Sequence, residues 1–275
     1  MSERKAFLIL LAPLFAAGHL YAQDVNLKAT TGHEVGMTIS EYKYTESDAA
    51  INGGTIKQKA NKAGIDYSYV KTLDNDWLVK GDVRYAAGKT DYSFNRTTLN
   101  GIKDWYFDLR GLVGKEVAFS DSVVLFYGGL GYRYSINDSS GRTANTGERG
   151  YYRNNELSYV PAGLAHKTGI RGGARLVTTG EVDFVIRGEQ HSRLSDVNSA
   201  LPDVINKQKH GYGLRAGVMY EKGPWSIGPW ITYWRINKSE TVTVTATILG
   251  STFTGSLFEP GNVTTEIGLR AAYRF

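Results

Sequence analysis

The clearest signal in the chain is a hydrophobic period of two residues that recurs from end to end. In the closing stretch VTTEIGLRAAYRF, Val263, Thr265, Ile267, Leu269, Ala271, Tyr273 and Phe275 alternate with Thr264, Glu266, Gly268, Arg270, Ala272 and Arg274. Successive side chains of a strand point to opposite faces, so this spacing predicts a strand with one apolar and one charged face. Trp105, Phe107, Leu109 and Val113 alternate in the same way with Asp108, Arg110 and Gly114, and Val79, Val83 and Tyr85 with Lys80, Asp82 and Arg84. Further sets are Leu176, Val182, Phe184 and Ile186 against Arg175, Glu181, Asp183, Arg187 and Glu189, and Leu214, Val218 and Tyr220 against Arg215 and Glu221. Val124, Phe126, Leu130, Tyr132 and Tyr134 oppose Gly129, Gly131 and Arg133. Weaker alternation covers 34–44, 64–70 and 157–165, and 225–237 carries aromatics on both faces around Pro229.

These segments predict about ten strands, each close to the roughly 9–11 residues of a tilted membrane strand. The connections alternate in length. Short ones fall near 74–76, 120–122, 167–171 and 221–224, and long polar ones near 46–55, 94–103, 137–155, 192–208 and 238–261. Short turns at one rim and long loops at the other characterise a transmembrane barrel, whereas a soluble sandwich has no reason for that rhythm. Trp77, Phe119, Trp225, Tyr273 and Phe275 fall beside the short turns, where amphipathic rings would form one interfacial girdle. Tyr44, Trp105 and Tyr134 would supply the opposite girdle.

Composition narrows the picture. The chain has 275 residues with 32 Gly, 18 Tyr and no Cys, so disulfide scaffolds, zinc–thiolate sites and cysteine nucleophiles are excluded. A formal charge of +5 without a dense Lys/Arg block argues against a nucleic-acid-binding arm. At the start, Arg4 and Lys5 precede the apolar run 6–17, and Ala22 offers a small residue for cleavage. The run is too short to span a bilayer as a helix, so residues 1–22 are expected to be a secretory signal peptide and 23–275 a single barrel domain.

With an export signal, alternating strands and a final strand GLRAAYRF ending in Phe275, the chain resembles the small bacterial outer-membrane β-barrel proteins. The stretches GGLGYRYSINDSSG (128–141) and GYGLRAGVMYE (211–221) resemble strands of porin-like members. The resemblance implies an all-β fold, a transmembrane antiparallel up-and-down β-barrel in the outer membrane of a Gram-negative bacterium. It also implies that Phe275 is read by the barrel-assembly machinery and that lipid and lipopolysaccharide surround the barrel. No cofactor is implied.

If the apolar faces meet lipid, the others meet the lumen. That puts Glu34, Asp66, Asp82, Asp108, Glu181, Asp183, Glu189, Glu221 and Glu266 inside, with Lys80, Arg84, Arg110, Arg133, Arg175, Arg187, Arg215, Arg270 and Arg274. Asp104 is left at the rim. Nine acids against nine bases favour mutual pairing, and ten strands lie near the size at which side chains fill the interior. The expected charge network is Asp82, Arg84, Asp108, Arg110, Arg133, Asp183, Arg187, Arg215, Glu266 and Arg270. Lumen glycines keep a narrow hydrated pore open as the alternative, unless large side chains fold over them.

In the loops, Arg142, Arg149 and Arg153 stand beside Tyr151 and Tyr152, a combination suited to phosphates of lipopolysaccharide or an extracellular ligand. The segment 241–258 (TVTVTATILGSTFTGSLF) predicts an extracellular hairpin that exposes Phe253 and Phe258. Chemistry is sparse. Clustered metal ligands and the common hydrolase and nucleotide motifs are absent from the sequence. Ten-stranded barrels include the omptin proteases, which resemble this chain in size, but none of His33, His166, His191 and His210 stands two residues after an Asp. A rim acid–His pair using His191 or His210 with Asp196 or Asp203 is the remaining catalytic possibility. The sequence therefore points first to a non-enzymatic barrel, structural or ligand-binding, then to a small channel, and last to a rim hydrolase.

Overall fold

Each alternating segment is extended in the computed structural model, which describes residues 25–46, 54–248 and 250–275; the expected signal peptide, 1–22, lies outside them. The strands are β1 (Gly32–Glu46), β2 (Ile56–Thr72), β3 (Trp77–Phe94), β4 (Thr97–Ala118), β5 (Ser122–Asp138), β6 (Tyr152–Ile170) and β7 (Ala174–Ser192). They continue with β8 (Val204–Lys207), β9 (Gly211–Lys222), β10 (Trp225–Ile236), β11 (Val242–Ile248), β12 (Ser251–Leu257) and β13 (Asn262–Arg274). Antiparallel pairing runs β1 to β7 in sequence, then β7–β9, β9–β10, β10–β13 and β13–β1, which closes a ten-stranded barrel. The closing pair is sealed at its end by reciprocal backbone bonds of 2.9 Å between His33 and Phe275. Closure leaves the wall without a free edge, as a backbone in hydrocarbon requires.

β8 adds a short ladder to the far end of β7, and β11 and β12 form a separate hairpin. The segment 94–103, expected as a long loop, is instead a continuous hairpin in which Phe94 pairs with Thr97 across Asn95 and Arg96. Asn95 turns the chain with φ of 53°, a left-handed conformation that Asn tolerates.

The barrel strands run to 22 residues in β4, about 70 Å at roughly 3.3 Å per residue, far more than an apolar band about 25 Å tall demands even when tilted. The outer face explains the surplus. On β1 to β3 its exposed apolar residues occupy the lower part of the strand: Val35, Met37 and Ile39 on β1, Ile65 and Tyr67 on β2, Val79, Val83 and Tyr85 on β3. Above them the same faces become polar, with Glu41 and Lys43, Lys57 and Lys59, then Lys89 and Asp91. The expected segment length is thus that of the apolar band, and the barrel projects beyond it at the long-loop end.

Two expectations about faces are corrected. Tyr44 points into the lumen, where its hydroxyl donates to Glu46 at 2.6 Å, so it is no girdle residue. On β7 the pairing register slips between Ser158 and Tyr159, with Ser158 opposite Arg187 and Tyr159 opposite Val185. The extra residue, Ile186, is a bulge that shifts the alternation by one. Arg187, with 72% of its side chain exposed, and Glu189 therefore stand on the outer wall, paired with each other at 3.0 Å. Gly188, Gln190 and Ser192 take the inward positions.

Candidate functional site

The inward residues of the mid-barrel interlock across the lumen. Arg110 on β4 donates through Nε and Nη2 to the two oxygens of Asp82 on neighbouring β3, at 2.8 and 3.1 Å. Its Nη1 reaches across to Glu181 on β7 at 2.6 and 2.9 Å. Arg215 on β9 binds Asp183 on adjacent β7 at 2.7 Å and crosses to Asp108 on β4 at 2.9 Å. Arg133 reaches Asp108 at 3.4 Å, and Tyr159 donates its hydroxyl to the same carboxylate. A second crossing joins β4 to β13, where Tyr106 donates to Glu266 at 2.8 Å, with Ser40 donating to its other oxygen at 2.6 Å. Nearer the short turns, Arg270 binds Asp66 at 3.0 Å and Glu34 at 2.8 Å.

The result is a slab of charge-assisted hydrogen bonds at mid-height, in which forked guanidinium groups hold two carboxylates at once. Rings brace it. Arg84 stacks on Trp230 at 3.6 Å, and Arg133 on Tyr106 at 3.7 Å. Tyr159 and Trp234 meet edge to face at 5.1 Å within a buried cluster that includes Leu157, Val185 and Ile236. Gly131 makes this possible, because a Cβ there would lie 2.2 Å from the Tyr159 ring. Asp82, Arg84, Asp108, Arg110, Arg133, Asp183, Arg215, Glu266 and Arg270 all face the lumen as expected, and Arg187 does not. The sequence reading missed the bracing aromatics, Leu157 and Ile236. It also placed Asp104 at the rim, whereas Asp104 and Lys62 form a buried lumen pair. Aromatics on both faces of β10, and lumen glycines over which large side chains could fold, were the available signs that some rings turn inward.

Below the slab, toward the short turns, lies a cavity of about 330 Å³; above it lies one of about 80 Å³. Residues 25–31 cross the lower mouth. The Ala29 amide donates to both oxygens of Glu116 at 3.0 Å, Arg175 Nη1 donates to the Asn26 carbonyl at 3.1 Å, and Lys28 pairs with Asp76 at 2.5 Å.

The long-loop end is laced together by the residues expected to be free for binding. Arg142 donates to the carbonyls of Gly101 and Asn100 at 2.6 Å, tying its loop to the β3–β4 hairpin. Arg149 donates to the Val197 carbonyl at 3.1 Å. Arg153 turns inward between Glu46 and Glu259. Burial, reinforced by the Glu46 carboxylate, pushes Glu259 up to about 7 although Arg153 opposes the shift. Tyr151 is half-buried, its carbonyl held by the Ser139 hydroxyl at 2.8 Å, and Tyr152 lies under Arg193. Lys238 covers Phe258 at 3.5 Å, whereas Phe253 on β12 is 58% exposed.

Neither His191 nor His210 is paired with Asp196 or Asp203 among the described residues. Asp196 accepts from the Tyr152 amide at 2.9 Å. Asp203 accepts from the amide and hydroxyl of Ser195 at 3.0 and 2.7 Å, which holds its carboxyl below the usual range. His191, displaced outward by the β7 bulge, has Glu189 and Glu156 as its carboxylate neighbours at 3.7 and 3.9 Å. Among the described residues no group of three or more His, Asp or Glu is arranged to hold a metal.

Trp77, Trp225, Tyr273 and Phe275 are exposed at the short-turn end, with Trp225 edge-on to Tyr273 at 4.9 Å. At the upper edge of the band Trp105 stands between Tyr85 and Tyr134, at 5.9 and 5.7 Å.

No family model matches the chain, and no curated protein matches it in sequence. Similarity appears at the level of structure. The outer membrane protease OmpT from Escherichia coli superimposes with a TM-score of 0.55 at 10% identity, covering 90% of this chain and 99% of that one. An outer membrane channel from Pseudomonas putida F1 is similar at a TM-score of 0.43 and 11% identity, over 92% and 100% of the two chains. The transport unit of the autotransporter AIDA-I from Escherichia coli reaches 0.41 at 12% identity, over 93% and 94%. With its closed ten-stranded wall and apolar outer band, the chain has the fold of the bacterial outer-membrane β-barrels.

Proposed function

We propose that the chain is a non-enzymatic barrel of the Gram-negative outer membrane, shut along its axis, whose outward contacts are made by the long-loop end. The slab carries this reading: Arg110 and Arg215 each bind carboxylates on opposite sides of the lumen, so ion movement must break several charge-assisted bonds at once. In this orientation the termini and short turns lie in the periplasm, and Phe275 at the end of β13 is presented there to the assembly machinery. Lys43, Lys57, Lys59 and Lys89 stand on the outer faces just above the apolar band, at the level where lipopolysaccharide phosphates would meet them. An extracellular ligand would contact the exposed face of the β11–β12 hairpin at Phe253.

A narrow pore is the second reading, favoured by the cavities on either side of the slab. Conductance of the refolded protein in a planar lipid bilayer decides between them. A silent membrane, with folding verified by heat-modifiable gel mobility, is the expected result. Discrete steps from the unaltered protein would replace the closed barrel by the pore. Arg110→Ala combined with Arg133→Ala is expected to open conductance, and continued silence would remove these residues from the plug.

A further inference from the structure

The lower cavity does not follow the polar-lumen rule. Leu78 on β3, Leu112 on β4, Leu125 on β5, Val177 on β7 and Met219 on β9 all turn inward below the slab and line it. Inward apolar side chains from five strands interrupt a lumen otherwise built from charge, and they leave about 330 Å³ rather than filling it. That volume is in the range of small-molecule sites.

The roof of the cavity is charged in an uneven way. Each carboxylate lining it accepts a hydrogen bond from an arginine: Asp82 and Glu181 from Arg110, Asp108 from Arg215, Asp66 and Glu34 from Arg270, and Glu221 from Arg175. Two cations of β3 are held more loosely, by ion pairs alone. Lys80 stands 3.4 Å from Asp82, an ion pair without a hydrogen bond, while Arg110 binds both oxygens of that carboxylate. Arg84 lies 3.8 Å from Glu266, an ion pair without a hydrogen bond, while Ser40 and Tyr106 donate to that carboxylate. The Nε and Nη2 of Arg84 are buried without a hydrogen-bond partner and closed to the cavity, which leaves Nη1 as the donor that a ligand there would meet. On β3, then, two cations with spare donor capacity overlook an apolar chamber.

We propose that this cavity binds a small amphiphilic anion, an aliphatic or aromatic monocarboxylate, with its acid group at Lys80 and Arg84 and its hydrocarbon on the leucine-rich wall. Charge complementarity selects the acid group, and the apolar wall selects against inorganic anions. Access is from the short-turn side, past the segment 25–31, whose Ala29 and Thr30 line the cavity. In that segment Val25, Leu27 and Ala29 are half-buried and alternate with exposed Asn26, Lys28 and Thr30, so its less polar face is turned to the barrel.

Titration calorimetry on the refolded chain in a maltoside detergent tests the proposal, with hexanoate as the probe and hexanol and inorganic phosphate as controls. Saturable binding of one hexanoate per chain is expected, with both controls roughly tenfold or more weaker. Arg84→Gln is expected to weaken hexanoate by about tenfold, Arg84→Lys to retain most of it, and Leu125→Gln to weaken hexanoate by about tenfold with little change for phosphate. If Arg84→Gln loses its heat-modifiable mobility, Lys80→Gln, at the more exposed cation, takes its place. Phosphate binding as tight as hexanoate would reduce the site to charge alone, and equal hexanol binding would reduce it to an apolar void. Either result overturns the proposal, as does unaltered affinity in folded Arg84→Gln or the absence of saturable hexanoate binding.

Discussion

Arginine does different work in the slab and in the loop rim. In the slab, Arg110 and Arg215 face carboxylates on opposing strands, so each guanidinium is a cross-brace between distant parts of the wall. In the rim, Arg142 and Arg149 face backbone carbonyls of neighbouring loops, so each is a latch between two turns. The contrast lies in what is left behind when the side chain is removed. A brace leaves buried ionised oxygens without their closest cation, whereas a latch leaves carbonyls that water can reach. Arg110→Ala removes the closest cation from Asp82 and Glu181, leaving Lys80 at 3.4 Å and Arg215 at 3.1 Å, and breaking a buried pair costs about 3–5 kcal/mol. Urea unfolding in lipid vesicles is expected to show the largest loss of any variant here. A loss below about 1 kcal/mol would mean that water already reaches the slab and that the brace is no stronger than a surface pair.

The slab can also be broken without touching a charge. Gly131 lets the Tyr159 ring lie directly over the strand backbone, with no room for a Cβ at 2.2 Å. Gly131→Val forces the ring aside and withdraws its hydroxyl from Asp108 and Arg215. Overpacking of this kind costs about 1–3 kcal/mol. The same unfolding measurement is expected to place this variant between Arg110→Ala and the rim variants. A second change, Tyr159→Phe, separates the two causes: it removes the hydroxyl without moving the ring, so a similar loss would assign the effect to the hydrogen bond.

The strands and most of their inward faces were legible because one rule, alternation, governs the membrane-embedded wall. The rule held for Asp82, Asp108, Arg110, Arg133, Arg215, Glu266 and Arg270, whose strands run unbroken through the band. It failed at Ile186, since a bulge inserts a residue without altering the polarity pattern, and the run Arg187-Gly188-Glu189 reads equally well in either phase. It was silent about Leu78, Leu112 and Leu125, because an apolar residue on a nominally polar face looks like noise in a single strand. Only the barrel's closure gathers five of them around one cavity. The rim arginines were legible as basic residues beside aromatics, but their partners are backbone carbonyls from other loops, and no sequence pattern marks a carbonyl as an acceptor.

At the top of the lumen the two schemes meet. Arg153 is braced like a slab arginine but serves a loop, since one of its two carboxylates, Glu259, belongs to the connection before β13. One guanidinium between two buried carboxylates favours retention of a proton, and Glu259 is pushed up to about 7, above the ordinary range for a free Glu. A carboxyl that holds its proton more tightly folded than unfolded contributes stability below its unfolded value of about 4.3, and that contribution is lost as pH rises through about 7. Backbone hydrogen exchange over 237–261, corrected for intrinsic rates, is therefore expected to quicken between pH 5 and 8. In Glu259→Gln the profile is expected to be flat across that window. A pH response surviving in Glu259→Gln would place the titration elsewhere.

The smallest effect belongs to a pure latch. Arg142 gives two hydrogen bonds of 2.6 Å to carbonyls at the base of the β3–β4 hairpin tip, both at exposed positions. Arg142→Ala returns those carbonyls to water, so the net loss is only about 1 kcal/mol and global unfolding is expected to shift little. The consequence should appear locally. The loop 139–151 keeps its remaining ties, among them the Asn145 amide to the Thr98 carbonyl at 3.1 Å and the Asn145 side chain to the Thr98 amide and the Arg96 carbonyl at 2.6 and 3.0 Å, but loses both bonds made by Arg142. Limited trypsin digestion of folded protein in vesicles is expected to cut at Arg149 several-fold faster in Arg142→Ala, with the barrel fragment intact. Equal cutting rates would show that the remaining ties hold the loop without Arg142. An increase matched by a fall in unfolding stability as large as that of Arg110→Ala would erase the distinction between latch and brace.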